Sequence, residues 1–249
     1  MGMSRISRRS FLKIGMGVGV TAFTPHLLGL AIAGTPTEFC NPNRPTTPGA
    51  ALTALIDGNS RWANFEEQHP GEDETRRTCL VDGQQPFAAI LSCSDSRVPP
   101  QLIFDQGLGD LFAVRVAGNT DTVVGEQSLA YAVKKLGALL LLVLGHQSCG
   151  AVSAAVDHFP DEHAEKFIKL IYPAVRRARQ IVKKNGGDPN DKALVLPVAI
   201  DQNVILTVNQ LSKVELFRKT VEAGNLAIVG GRYDLTTQEV TLLTSALPG

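Results

Sequence analysis

Two stretches decide the fold: PFAAILSCSDSR, residues 86–97, and ALLLLVLGHQSCG, residues 138–150. Each is an apolar run of strand length that stops at a cluster of chemically capable side chains. Neither run alternates apolar with polar residues, so each reads as a strand of a parallel sheet covered on both faces. A helical segment over 125–136, with Leu129, Ala130, Val133 and Leu136 on one side, lies before the second run. Parallel strands of this kind release their functional loops at one edge of the sheet. Cys93 can therefore meet His146 and Cys149. Two thiolates and one imidazole make a three-ligand zinc set with a fourth position open, the pattern of a catalytic site.

A His-x-x-Cys pair alone occurs by chance, and Cys93 alone would read as an inert core thiol. Ligation is favoured because both groups of residues directly follow buried strands. Asp95 and Arg97 are two apart, so in an extended loop they project to one side and can pair. A structural ion pair that holds the loop is one reading. The functional reading has Arg97 orient Asp95 beside the open position. There Asp95 either accepts a proton from water or takes that position itself as a fourth ligand. The implied substrate is a small electrophile open to attack by hydroxide. His69, His158 and His163 sit in polar or acidic context and read as surface histidines, with a proton relay by His158 or His163 the alternative.

The chain has 249 residues, 44% of them hydrophobic, enough for one substantial core. Its zero formal charge hides a distinctive beginning. SRRSFLK, residues 7–13, holds a twin-arginine pair, and no residue from Ile14 to Ala33 is charged at neutral pH. Ala31 and Ala33 bracket Ile32 as a cleavage site, so residues 1–33 read as a Tat-type signal peptide. An amphipathic helix of the fold is disfavoured by Gly15, Gly17, Gly19 and Pro25. A permanent membrane anchor is the other alternative, since the apolar run is about long enough to span. Cleavage would leave 20 basic residues against 24 acidic ones, a mildly acidic protein without a nucleic-acid footprint. The expected destination is the periplasm, with the Tat machinery as the precursor's partner. Tat carries folded proteins, which suits a thiolate site assembled before export.

Residues 34–49 form a Pro/Thr/Asn-rich lead without periodicity, and 50–249 the catalytic domain. A disulfide between Cys40 and Cys79 is allowed by an oxidising destination. Helices are expected over 50–68, 125–136, 151–156, 163–184 and 201–217, with a helical turn beginning near Pro99. Arg176, Arg177, Arg179, Lys183 and Lys184 read as a solvated face of the 163–184 helix. Further strands are expected over 111–116, 226–229 and 240–243, the last two flanking Gly230 and Gly231. Residues 69–78 read as a loop or helix end, and 81–86 as a turn about Asp82-Gly83. No repeat, low-complexity tract or dividing linker is visible.

CSDSRVPP from Cys93, GDLFAVRVAGN from Gly109 to Asn119, GHQSCGAV from Gly145 to Val152 and AIVGGRYDL from Ala227 to Leu235 together resemble the beta-class carbonic anhydrases. The resemblance spans about Ala50 to Leu243. It implies an α/β fold with a four-stranded parallel sheet, an added antiparallel edge strand and surrounding helices. It implies one zinc ion per chain, a homodimer that can double to a tetramer, and reversible hydration of carbon dioxide to bicarbonate. The comparison also suggests substrate-binding residues that spacing does not. Gln84 falls where the plant-like subgroup has a glutamine that donates to substrate, and Phe112 and Tyr131 resemble its cleft-lining aromatics. Read unaided, both aromatics belong to the core. Gln84 is not a tryptophan, which separates the chain from the subgroup with an inhibitory bicarbonate pocket. Ala130 stands where relatives often carry Glu. The competing functions are a hydrolase of a related small molecule such as carbon disulfide, and a non-enzymatic structural or redox-sensing zinc protein.

Overall fold

The computed structural model describes residues 40–246; the twin-arginine segment lies outside them. Five strands form one sheet: β1 Ala88–Ser92, β2 Leu111–Arg115, β3 Leu140–His146, β4 Ala227–Tyr233 and β5 Val240–Ala246. Their order is β2-β1-β3-β4-β5. The first three pairings are parallel and the last antiparallel, as expected. The strands β1 and β3 are buried at every position. Their side chains alternate between two cores: Ile90, Leu140, Leu142 and Leu144 face one, while Leu91, Leu141 and Val143 face the other. An uninterrupted apolar run is what a strand covered on both faces requires.

Among the described residues, eight α-helices surround the sheet: α1 Pro48–Ala63, α2 Glu74–Cys79, α3 Pro100–Ile103, α4 Val123–Leu136, α5 Gly150–His158, α6 Lys166–Lys184, α7 Lys192–Leu211 and α8 Glu215–Glu222. The crossover helix α4 starts where Thr122 Oγ1 accepts from the Gly125 N–H at 3.1 Å and stops at Gly137, whose φ of 71° is left-handed. Several expectations are corrected. The segment 74–79 is a helix of its own rather than a loop or the end of α1, because the Asp73 carboxylate caps it by accepting from Arg76 N at 2.8 Å. The expected 201–217 helix is two helices, and the first begins nine residues earlier, capped by Asp191. Pro197 lies in the second turn of α7 and masks its start in the sequence. By length and composition α7 could cross a membrane, yet Val195, Ala199, Val204, Val208 and Leu211 bury it against the core. Of the basic residues on α6, Arg179 is not solvated: it lies over the Phe159 ring at 5.1 Å and is half-buried.

Gly230 and Gly231 were expected between strands but lie inside β4, with a bulge between them. A Cβ on Gly230 would sit 2.7 Å from Val204 Cγ1. The glycine is required by the close approach of α7 to the sheet, not by a turn.

Cys40 and Cys79 form a disulfide that ties the lead to α2. Around it, Asn41 donates to Asp110 at 2.7 Å, and Arg44 donates to the carbonyls of Gln85 at 3.0 Å and Gly137 at 2.8 Å. The bridge closes a separation of 39 residues, for which the chain-entropy estimate is about 4 kcal/mol. Replacing both cysteines with serine is expected to lower unfolding stability by about 2–4 kcal/mol in urea titration and to leave metal content unchanged. A stability loss within error would show that the polar ties alone hold the lead.

Candidate metal centre

Strands β1 and β3 run side by side with Ser92 opposite Leu144, so their carboxyl ends open at one edge of the sheet. Cys93 follows β1 directly, His146 ends β3, and Cys149 precedes the first residue of α5. The three side chains converge there. Their candidate ligand atoms lie within 4.8 Å of one another, and the residues are 5%, 1% and 1% exposed. The sulfurs of Cys93 and Cys149 are 3.9 Å apart and both thiols are free. That separation is far too long for a disulfide and close to the edge of about 3.8 Å expected between two sulfurs on one tetrahedral zinc.

The histidine is pre-set for the same task. His146 Nδ1 is 2.9 Å from the Gln147 carbonyl, which fixes the hydrogen on Nδ1 and leaves the Nε2 lone pair for a metal. Nε2 is buried and meets no hydrogen-bond partner in the described residues. A buried nitrogen aimed at two thiols without a partner is the observation that tests the donor set, and it fits a thiophilic cation such as zinc.

The electrostatics favour a shared negative charge. The hydrogen bond from Cys149 holds the Cys93 thiol down to about 4, assisted by His146 and the Gly118 N–H and opposed by burial. The same pairing and burial push the Cys149 thiol up, while the Val152 and Ala151 N–H groups at the start of α5 pull the other way.

Asp95 and Arg97 pair as expected. Arg97 Nε donates to Asp95 Oδ1 at 2.9 Å and Nη2 to Oδ2 at 2.7 Å, with the Arg97 backbone N–H on Oδ1 at 3.0 Å. The guanidinium holds the carboxyl well below the usual carboxylate range. Asp95 Oδ2 lies 3.9 Å from His146 Nε2, so the held carboxylate borders the ligand cluster.

The other three sequence-derived residues are not brought to the cluster within one chain. Gln84 is exposed and lines a depression with Arg77, Leu80 and Leu108 that none of the cluster residues enters. Phe112 on β2 and Tyr131 on α4 meet each other, with ring centroids 6.3 Å apart. Tyr131 is 51% exposed, so it is not the core aromatic that unaided reading suggested.

Three contributors were missed from sequence. Arg115, at the end of β2, donates from Nε to the Cys93 carbonyl at 3.0 Å and from Nη2 to the Asp95 carbonyl, clamping the ligand loop. Gly118 donates its N–H to Cys93 Sγ at 3.3 Å. Asn203 donates to the Gly118 carbonyl at 2.7 Å. The strand-breaking AGN at 117–119 was the available signal for Gly118; nothing in the sequence marked Asn203.

Comparison with known proteins agrees with this geometry. The pattern of the carbonic anhydrase family matches residues 88–240. The chain is 35% identical over 195 residues to carbonic anhydrase 2 of Mycobacterium tuberculosis, covering 76% of this chain and 90% of the relative. It is 37% identical over 201 residues to a carbonic anhydrase of Mycolicibacterium smegmatis, covering 79% and 94%. Among solved structures, the Coccomyxa beta-carbonic anhydrase in complex with acetazolamide superposes with a TM-score of 0.60 at 25% identity, over 80% of this chain and 88% of that one. A structure from work on two tetrameric beta-carbonic anhydrases of Sordaria macrospora shares the fold, with a TM-score of 0.59 at 21% identity over 78% and 98%. With two cysteines and a histidine gathered at the carboxyl edge of the same kind of sheet, the chain belongs to the beta-class carbonic anhydrase family.

Proposed function

We propose that the protein catalyses the reversible hydration of carbon dioxide to bicarbonate and a proton, with one zinc ion per chain held by Cys93, His146 and Cys149. The observation that carries the reading is the buried His146 Nε2, which faces two free thiols and has no hydrogen-bond partner among the described residues. Zinc at this donor set supplies the Lewis acidity that makes water nucleophilic near neutral pH. The chain's own residues do the rest. Cys93 and Cys149 would bring negative charge to the bound ion and, with His146, supply its three protein ligands. Asp95, held at both oxygens by Arg97, is an oriented hydrogen-bond acceptor beside the position that the three ligands would leave open, and its pairing with Arg97 opposes its becoming a ligand itself. Arg115 keeps the Cys93–Asp95 loop in place through its two carbonyls.

Gln84, Phe112 and Tyr131 are assigned to the substrate cleft as the plant-like subgroup would have them, completed by a second copy of the chain. The unpaired edge of β2 and the exposed Tyr131, which meets the half-buried Phe112 beside it, support a homodimer, and the tetrameric Sordaria structures support doubling. Stopped-flow carbon dioxide hydration and carbon disulfide hydrolysis, run on one zinc-replete sample, test the activity. Hydration without hydrolysis is the expected result; hydrolysis alone, or neither, overturns it.

Export by the Tat pathway to the periplasm is part of the same reading. The twin arginines and uncharged stretch suggest it, and the Cys40–Cys79 disulfide supports an oxidising destination. Replacing Arg8 and Arg9 with lysine is expected to leave precursor in the cytoplasm. Mature protein still found outside the inner membrane would refute the assignment.

A further inference from the structure

We propose that Asn203, on α7, is a positioning residue that aims the Gly118 N–H at the Cys93 sulfur and so sets how strongly that sulfur donates to the metal. The inference rests on the metal reading above and adds a residue from a helix that carries no ligand.

The geometry is a two-step relay. Asn203 is 4% exposed, and its Nδ2 donates to the Gly118 carbonyl at 2.7 Å, across 85 positions of sequence. The N–H of the same glycine donates to Cys93 Sγ at 3.3 Å. Gly118 has φ 68° and ψ 24°, a conformation that glycine enters without penalty and leaves as easily. Its N–H and its carbonyl belong to adjacent peptide planes joined by those two soft torsions. Holding the carbonyl removes the freedom of one of these planes, so the N–H is confined to the range that φ and ψ still allow and drifts less from Cys93 Sγ. A side chain at Gly118 could not replace the grip, because a Cβ there would stand 2.8 Å from Ile171 Cδ1 and 3.1 Å from Ala151 Cβ.

The anchor is itself rigid. Helix α7 is packed into both cores around Asn203, through Ile200, Val204 and Val208. The neighbouring Val204 also bears on the other ligand-carrying segment: a Cβ on Gly145, the residue before His146, would meet Val204 Cγ2 at 2.6 Å. One turn of α7 thus reaches behind both Cys93 and His146.

A thiolate that accepts an N–H hydrogen bond gives less charge to a cation it binds, and hydrogen bonds of this kind tune metal sites. Losing the bond should make the Cys93 sulfur a stronger donor and the bound metal less electrophilic. A role confined to satisfying a buried carbonyl would change stability alone.

The test uses the cobalt(II)-substituted protein. Asn203→Leu is close in volume and has no donor; Asn203→Ala gives the same readout without overpacking if the leucine variant does not fold. The expected result is unchanged cobalt stoichiometry, a thiolate-to-cobalt charge-transfer band moved to longer wavelength, and a pH midpoint of activity shifted upward. In the wild-type cadmium-113 protein, the Gly118 amide proton should show scalar coupling to the metal across the sulfur, and the coupling should fall in the variants. Variants with an unmoved band and unmoved coupling, whatever their melting temperature, overturn the proposal, as does absence of the Gly118 coupling in the wild type. A wild-type cobalt protein without any thiolate band would overturn the metal reading and this inference with it.

Discussion

Cys93→Ser is expected to reduce zinc content far below one per chain and carbon dioxide hydration below detection. The substitution changes little volume in a buried site, so its effect is chemical. A thiol held down to about 4 by its neighbours is replaced by a hydroxyl that stays protonated, and the site loses both a negative charge and a soft donor. Cys149→Ser should act in the same way, and His146→Ala removes the imidazole and leaves a cavity among the two thiols. The three-ligand set has no spare member among the described residues, because Cys93, His146 and Cys149 make the only such buried group. Metal analysis alongside stopped-flow hydration, with circular dichroism to confirm folding, checks each variant. Full zinc stoichiometry together with parental activity in any one of them would remove that residue from the ligand set.

The thiols also give the metal uptake a signed pH dependence. Ligating sulfurs must be deprotonated, so binding releases whatever protons they still carry. Cys93 is held down by the hydrogen bond from Cys149, whereas Cys149 is pushed up by that pairing and by burial. Near neutral pH the pair therefore gives up about one proton on binding rather than two, and affinity rises as pH rises.

The central strands were legible because burial on both faces demands uninterrupted apolar residues, and the polar stop at His146 bounds ALLLLVL at strand length rather than helix length. The ligand set followed from that, since strand ends at one sheet edge bring distant residues together. What the sequence concealed was set by tertiary contact. The Gly230–Gly231 pair looks like a turn in one dimension, and only the approach of Val204 makes it part of a strand. Helix α2 depends on a single capping carboxylate, Asp73, in a polar segment without helical periodicity. Arg115 and Asn203 act through backbone carbonyls of Cys93, Asp95 and Gly118, contacts that leave no pattern of spacing. The Cys40–Cys79 bridge was permitted by composition but needed α2 and the lead in place before it could be assigned.

Asp95→Asn is expected to keep zinc at full stoichiometry and to lower the hydration rate by about a hundredfold or more, the order of cost of losing an oriented polar group at the reacting centre. Asparagine preserves the shape and can still accept from Arg97 through one oxygen, so the loop should persist while the second charge-assisted bond is lost. The pH profile separates the roles. Arg97 holds the Asp95 carboxyl below its ordinary value, so the pair's contribution to stability is fully present above the unfolded pKa of about 3.9. It is lost only as pH falls toward and through the folded value. Across neutral and mildly alkaline pH, Asp95 stays ionised and its own titration does not shape the rate. The rise of activity with pH should therefore keep its midpoint in the variant while the whole curve drops. A variant that recovered activity at low pH would show that Asp95 had been blocking the fourth position there. Near-parental rates at every pH with unchanged zinc would leave Asp95 only the task of holding its loop. Zinc-edge spectroscopy over the same pH series distinguishes these outcomes, since blocking adds an oxygen ligand from the carboxylate and loop-holding does not.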